Sequence, residues 1–432
     1  MRVFRYIPFG VLAGLATVIA CSATSSDSNE FRGSGTGGAA NTGGGGTGGS
    51  ISGGTGGSIS GGTGGGPIFD GSVVNPDGGG GQVSACQAGP DEDKDHDGYS
   101  INQGDCNDCD PNANPGAFDV VGGVDGGPGV DEDCDGVVDN EPSDCDTGLS
   151  MTSVEPMDFA RAIGLCRTAD PNGQGKNRTW GVLEARLGTT EINANPQAWT
   201  DPNLFGILDR FGNNNKPQEG VKLIALSSGT ARDELTGGHD PNGPGGYMTT
   251  LSSNYPPGFP KNAAGCPGPG AGGLHANDPV SLYLKIRVPT NAKSFSFNFS
   301  FFSAEYPEWV CTEFNDVFVA LLHSKVPGNP ADDFNISFDQ NHNPVCVNIG
   351  FFAHTSGSDP VLAKTFLENG NGGATGWLVT QAPVQPGEEI TLQFAIWDTG
   401  DHDWDSTVII DNFKWSVEPA SEAKTEPVPV PK

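Results

Sequence analysis

Between Cys86 and Thr147 the chain carries eighteen Asp or Glu residues against a single Lys, a density that repels itself unless counter-charge is supplied. The acids are ordered. Asp91-Glu92-Asp93-Lys94-Asp95-His96-Asp97-Gly98-Tyr99 is answered downstream by Asp131-Glu132-Asp133-Cys134-Asp135-Gly136-Val137-Val138-Asp139. Carboxylates at positions 1, 3 and 5 of a loop, with glycine at 6 for the sharp turn, converge on one hard cation. The spacing therefore predicts one metal-binding module whose ligands are Asp93, Asp95, Asp97, Asp105, Asp131, Asp133, Asp135 and Asp139, with the number of ions left open. The carbonyls of Tyr99 and Val137 stand at position 7 of each loop. Oxygen donors favour calcium over copper or zinc, and no His and Cys pairs stand at zinc-finger spacing. An EF-hand does not fit, because position 12 counted from Asp93 is Gly104 and no amphipathic helix flanks the loop.

Four stretches carry a resemblance: Asp93-x-Asp95-x-Asp97-Gly98-Tyr99, Gly104-Asp105-Cys106-Asn107-Asp108, Asn114-Pro115-Gly116-Ala117 and Asp133-Cys134-Asp135-Gly136. Through them residues 91–139 resemble the MopE-like metal-binding motif and, more loosely, thrombospondin type 3 repeats. The sequence departs from that pattern after Pro-Gly-Ala, where an acid and a cysteine usually follow; here stand Phe118, Asp119 and a Gly-rich insert, with Cys109 a candidate for the missing thiol.

The N-terminus pairs Arg2 and Arg5 with an apolar run over 6–20 that ends Val18-Ile19-Ala20-Cys21. That is a secretory signal too short to span a bilayer, with a cysteine placed as in a bacterial lipobox. The expectation is loss of 1–20 and lipid on Cys21, anchoring the chain to a bacterial membrane, by analogy the outer membrane or cell surface. Residues 21–84 are rich in Gly, Ser and Thr and bury too little apolar surface to fold. They read as a disordered tether whose coil dimension is roughly 40 to 50 Å for about 64 residues. Excluding Cys21, nine cysteines remain in an oxidising setting, so one thiol is left over. Pairings local to one segment are Cys145 with Cys166 and Cys311 with Cys346. Cys86, Cys106, Cys109 and Cys134 form a further set of open connectivity, and Cys266 is the expected orphan.

Beyond 149 the pattern changes to period-two alternation. Leu282, Leu284, Ile286 and Val288 share one face; so do Phe295, Phe297, Phe299 and Phe301; Ile390, Leu392, Phe394 and Ile396 repeat it, and 407–417 supplies another strand. Half-buried strands separated by Gly and Pro clusters predict a mainly β fold, an antiparallel, jelly-roll-like β-sandwich over 150–418, preceded by the loop-rich calcium module at 86–147 and the tether. Only 156–166 and 203–211 read as helical, and 419–432 as a disordered Pro-rich tail.

Phe299-Ser300-Phe301-Phe302-Ser303-Ala304-Glu305-Tyr306-Pro307-Glu308-Trp309, Phe314-Asn315-Asp316-Val317-Phe318, Ile396-Trp397-Asp398-Thr399-Gly400-Asp401 and Asp405 through Phe413 resemble the choice-of-anchor L domain over most of 150–417. The resemblance implies a β-sandwich on an exported, surface-anchored bacterial protein, with no established reaction. Independently, Glu305, Asn315, Asp316, Asp398, Asp401 and Asp405 stand at strand ends and form a second candidate calcium site; the competing reading is that these acids cap turns. Asp398 through Asp405 is too acidic to pack inward and is expected to face water, a cation or a ligand. Tyr306, Trp309, Trp397 and Trp404 are the aromatics nearest that loop, and core burial is the common fate of most such residues.

Net charge of −31 argues against nucleic acid as a partner. No His-Glu-x-x-His and no Gly-x-Ser-x-Gly occurs, and abundant acids make paired carboxylates coincidental. The chain reads as non-catalytic: a cell-surface lipoprotein that binds an extracellular polysaccharide or surface protein. The alternative is a secreted hydrolase or carbohydrate-binding accessory protein.

Overall fold

The computed structural model describes residues 88–122, 129–141, 144–196, 198–261, 274–312, 314–355, 357–367 and 372–429. The leader, the tether, Cys21, Cys86 and Cys266 lie outside the described residues. The described residues all belong to one compact unit.

In chain order the strands are β1 (Gly181–Gly188), β2 (Phe205–Leu208), β3 (Leu223–Ser227), β4 (Ser252–Ser253), β5 (Ala276–Arg287), β6 (Ser294–Ser303) and β7 (Val317–His323). There follow β8 (Val345–Cys346), β9 (Gly373–Ala374), β10 (Leu378–Pro383), β11 (Glu389–Asp398), β12 (Ser406–Ser416) and β13 (Lys424–Pro427). They form two antiparallel sheets packed as a sandwich. One runs β1-β5-β11-β7-β8 with β4 on β5; the other runs β13-β10-β6-β12-β3-β2 with β9 on β6. Consecutive long strands thus alternate between layers: β5 and β11 pair in one sheet, β6 and β12 in the other.

The alternating residues build the middle layer. Phe295, Phe297, Phe299 and Phe301 of β6 meet Leu282, Leu284 and Ile286 of β5 and Phe394 and Ile396 of β11, all fully buried. Phe297 meets Phe394 edge-on at 4.9 Å between ring centroids, and Phe299 lies 5.0 Å from Phe318. Each such ring contributes roughly 1.5–3 kcal/mol by burial. The strands are more than half buried, because loops cover the outward faces as well. Val319, Leu321, Ala395 and Trp397 pack under Tyr255 and Phe259 on one side. Phe302, Ile409 and Ala225 pack with Phe211, Leu362 and Leu367 on the other.

The helix α1 (Pro156–Ala162) begins with proline at its first position, where no N–H is needed, and buries Phe159 edge-on against Phe205 at 5.4 Å. Residues 203–211 are not helical. A short 3-10 turn (Pro202–Leu204) leads into β2, whose four residues are all buried and pair with β3. Within the segment expected to be a free tail, residues 424–427 form β13, which pairs with β10 in register Thr425 to Thr380.

The acidic segment is docked on the sandwich. Thr290 N–H donates to the Gly116 carbonyl at 2.8 Å, and the Asn291 amide donates to the Phe118 carbonyl at 2.8 Å. The Tyr99 hydroxyl donates to the Arg178 carbonyl. A Cβ on Gly116 would lie 2.5 Å from the Tyr99 hydroxyl, so glycine is what permits this approach. Cys106–Cys134 closes the segment on itself and Cys145–Cys166 ties its end to the residues after α1. The expected Cys311–Cys346 bridge does not form. Cys346 keeps a free buried thiol on β8, while Cys311, like Cys109, is engaged in another disulfide.

Candidate metal centres

Loops 93–99 and 131–137 fold with the same local hydrogen bonds. In the first, Asp93 Oδ2 accepts from Gly98 N–H (3.1 Å), Asp95 Oδ1 from Asp97 N–H (3.3 Å) and Asp97 Oδ1 from Tyr99 N–H (2.8 Å). In the second, Asp131 Oδ2 accepts from Gly136 N–H (2.9 Å), Asp133 Oδ1 from Asp135 N–H (3.1 Å) and Asp135 Oδ1 from Val137 N–H (2.8 Å). Gly98 and Gly136 have φ of 97° and 93°, the left-handed turn that glycine supplies without strain.

The remaining oxygens differ. Asp93 Oδ1, Asp95 Oδ2, Asp97 Oδ2 and Asp105 Oδ2 are buried and accept no hydrogen bond. Two carboxylate groups form here, Asp93 with Asp95 and Asp108, and Asp95 with Asp97 and Asp105, with ligand atoms inside each group within 4.8 Å of one another. Asp105 is only 4 % exposed. Burial, reinforced by neighbouring aspartates, raises Asp95, pushes Asp97 up to about 7 and pushes Asp105 up to about 6. Cation coordination relieves such a crowd of like charges.

In the second loop the outward oxygens have partners. Asp133 Oδ2 meets the Arg167 guanidinium at 2.5 Å, and Asp135 Oδ2 accepts from the Asn140 amide at 2.7 Å. Asp131 and Asp133 group with Asp119, not with Asp135 and Asp139. Asp119 accepts N–H bonds from Glu132, Asp133 and Asn140, and Asp139 Oδ1 accepts from Gly122 N–H at 3.3 Å. Sequence reasoning omitted Asp108 and Asp119 from the ligands. Asp108 stands inside the quoted Gly104 to Asp108 stretch, whereas Asp119 lies across the Gly-rich insert and carried no spacing signal.

In the sandwich, Glu305, Asp316 and Asp398 converge, again with ligand atoms within 4.8 Å. All three are buried, as are Asn315 and Asp405. The Asp398–Asp405 stretch therefore packs inward at both ends, against expectation, because strand termini deliver these acids into the molecule. Asp405 is not grouped with the triad at ligand spacing, although its charge helps to raise Asp316; its Oδ2 accepts from Gly245 N–H at 3.1 Å, and burial pushes it up to about 7. Asp401 is half-buried and acts on the triad through its charge. Of the four aromatics, Trp397 is core, Tyr306 and Trp309 are half-buried, and Trp404 is exposed at 37 %. Trp404 and Asp405 border a cavity of about 590 Å³ together with Arg232, Asp233, Asp240 and Phe366.

Residues 273–414 match the family model of the choice-of-anchor L domain. The match spans β5 to β12 and contains the buried triad; the acidic segment and β1 to β4 precede it, so it is shorter than the resemblance read from the sequence. It suggests a cell-surface protein with a β-sandwich. No curated protein and no solved structure matches the chain. Among the described residues no helix is long and apolar enough to cross a membrane.

Proposed function

We propose that this chain is a cell-surface lipoprotein, held by lipid on Cys21 and the 21–84 tether. In this reading its acidic segment is ordered by calcium and its sandwich binds an extracellular polysaccharide or surface protein without catalysis. The observation that carries the calcium reading is the set of buried, unpartnered oxygens on Asp93, Asp95, Asp97 and Asp105, grouped at ligand spacing. The ligand surface is the rim around Trp404, where an exposed indole beside acidic and amide groups is suited to a sugar face. Calorimetric titration of the exported chain should give calcium binding at roughly 0.1–1 mM, the range of extracellular modules. A flat trace at millimolar calcium contradicts the reading. For the rim, Trp404→Ala should abolish glycan-array signal that survives in the parent, and unchanged signal would exclude this surface.

A further inference from the structure

The acids of the sandwich differ in kind from those of the acidic segment, because core strands deliver them. Glu305 follows β6, Asp316 precedes β7 and Asp398 ends β11, so one sheet contributes the first and the other sheet the remaining two. They are 1 %, 0 % and 1 % exposed. Asp316 N–H donates to Glu305 Oε2 at 3.0 Å, the Ser228 hydroxyl donates to Asp316 Oδ2 at 3.2 Å, and Thr399 N–H points to Asp316 Oδ1 at 3.4 Å. Asp398 Oδ1 accepts nothing, and neither does the buried Oδ1 of Asn315 next to Asp316. Among the described residues no lysine, arginine or histidine forms an ion pair with any of the three carboxylates.

Burial without counter-charge is the arrangement proteins avoid, since each desolvated carboxylate costs several kcal/mol unless it is neutralised. We propose that Glu305, Asp316 and Asp398 hold one calcium ion that pins the two sheets together at this edge. The donors are all oxygen. The nearby Cys346 thiol is pushed up to about 12 by burial and offers no thiolate to a softer metal. Three buried carboxylates suit calcium better than magnesium, which keeps several waters and uses one or two. This site is independent of the one in the acidic segment.

The test uses the whole exported chain carrying Asp93→Asn, Asp95→Asn and Asp97→Asn, so that calcium at the acidic segment does not contribute. Calcium at a hundredfold excess over its dissociation constant should raise the thermal midpoint of that protein by roughly 5 °C or more, and magnesium by less than about half as much. Adding Glu305→Gln and Asp398→Asn should lower the midpoint in calcium yet raise it in chelator, because the same change removes ligands in one buffer and buried like charges in the other. A midpoint indifferent to calcium in the triple variant overturns the proposal, as does a shift of the same sign in both buffers. Should the five-fold variant fail to fold, bound calcium in the dialysed triple variant decides: one ion per chain supports the site and none overturns it.

Discussion

Loops 93–99 and 131–137 have the same sequence pattern, the same glycine turn and the same backbone-to-carboxylate hydrogen bonds, yet their second carboxylate oxygens meet different surroundings. In the first loop they face Asp105 and Asp108, like charges from the next stretch of chain. In the second, Arg167 and Asn140 take them. Arg167 also holds Glu141 at 3.1 Å, so one guanidinium neutralises what a cation would otherwise neutralise. A calcium-loop pattern therefore specifies a turn and a set of inward carboxylates, while the metal requirement is set by whether tertiary structure brings a protein cation to the same place.

The largest effect that separates the loops is calcium affinity. Asp95→Asn with Asp97→Asn should weaken calorimetric binding roughly 100-fold, about 2.7 kcal/mol, while Asp133→Asn with Asp135→Asn should change it less than about threefold. Equal losses from both pairs would erase the distinction.

Next in size is the removal of the protein's own cation. Arg167→Gln leaves Asp133, whose side chain is 2 % exposed, without its partner and should cost about 2 kcal/mol by chemical denaturation in chelator. Calcium should restore part of that loss and add a binding event absent from the parent. A loss identical in calcium and chelator would show that the second loop has no latent affinity for metal.

The smallest effect is on pH dependence. Asp97 and Asp105 have folded pKa values of about 7 and 6, above those of an unfolded aspartate, so their contribution is fully present below about pH 4 and is lost as pH rises through 6 to 7. In chelator the thermal midpoint should fall between pH 5 and pH 8, and Asp97→Asn with Asp105→Asn should flatten part of that fall. In calcium the slope should shrink, because the ion binds the deprotonated form and its affinity grows with pH. An unchanged slope in the variant would remove Asp97 and Asp105 from the charge crowd.

Much of the sandwich was legible in the sequence because β5, β6, β11 and β12 bury alternate residues in one shared layer, which imposes period two on the chain. β2 was not: Phe-Gly-Ile-Leu is apolar on both faces, and a short run buried all round has no periodicity to distinguish strand from helix. β13 was hidden for the opposite reason, since Lys-Thr-Glu-Pro is polar and takes its place by edge pairing with β10. Among the clustered acids, local spacing marked Asp93, Asp95 and Asp97, and positions at strand ends marked Glu305, Asp316 and Asp398. Arg167, Asp119 and the free Cys346 are set by contacts distant in sequence, which local spacing does not encode.

Anomalous diffraction from crystals grown in calcium tests the central contrast most directly. The account predicts a calcium peak among Asp93, Asp95, Asp97, Asp105 and Asp108, with the Arg167 guanidinium, not metal, at Asp133. A peak at Asp131, Asp133 and Asp135, or an absence of density at the first loop, would contradict it.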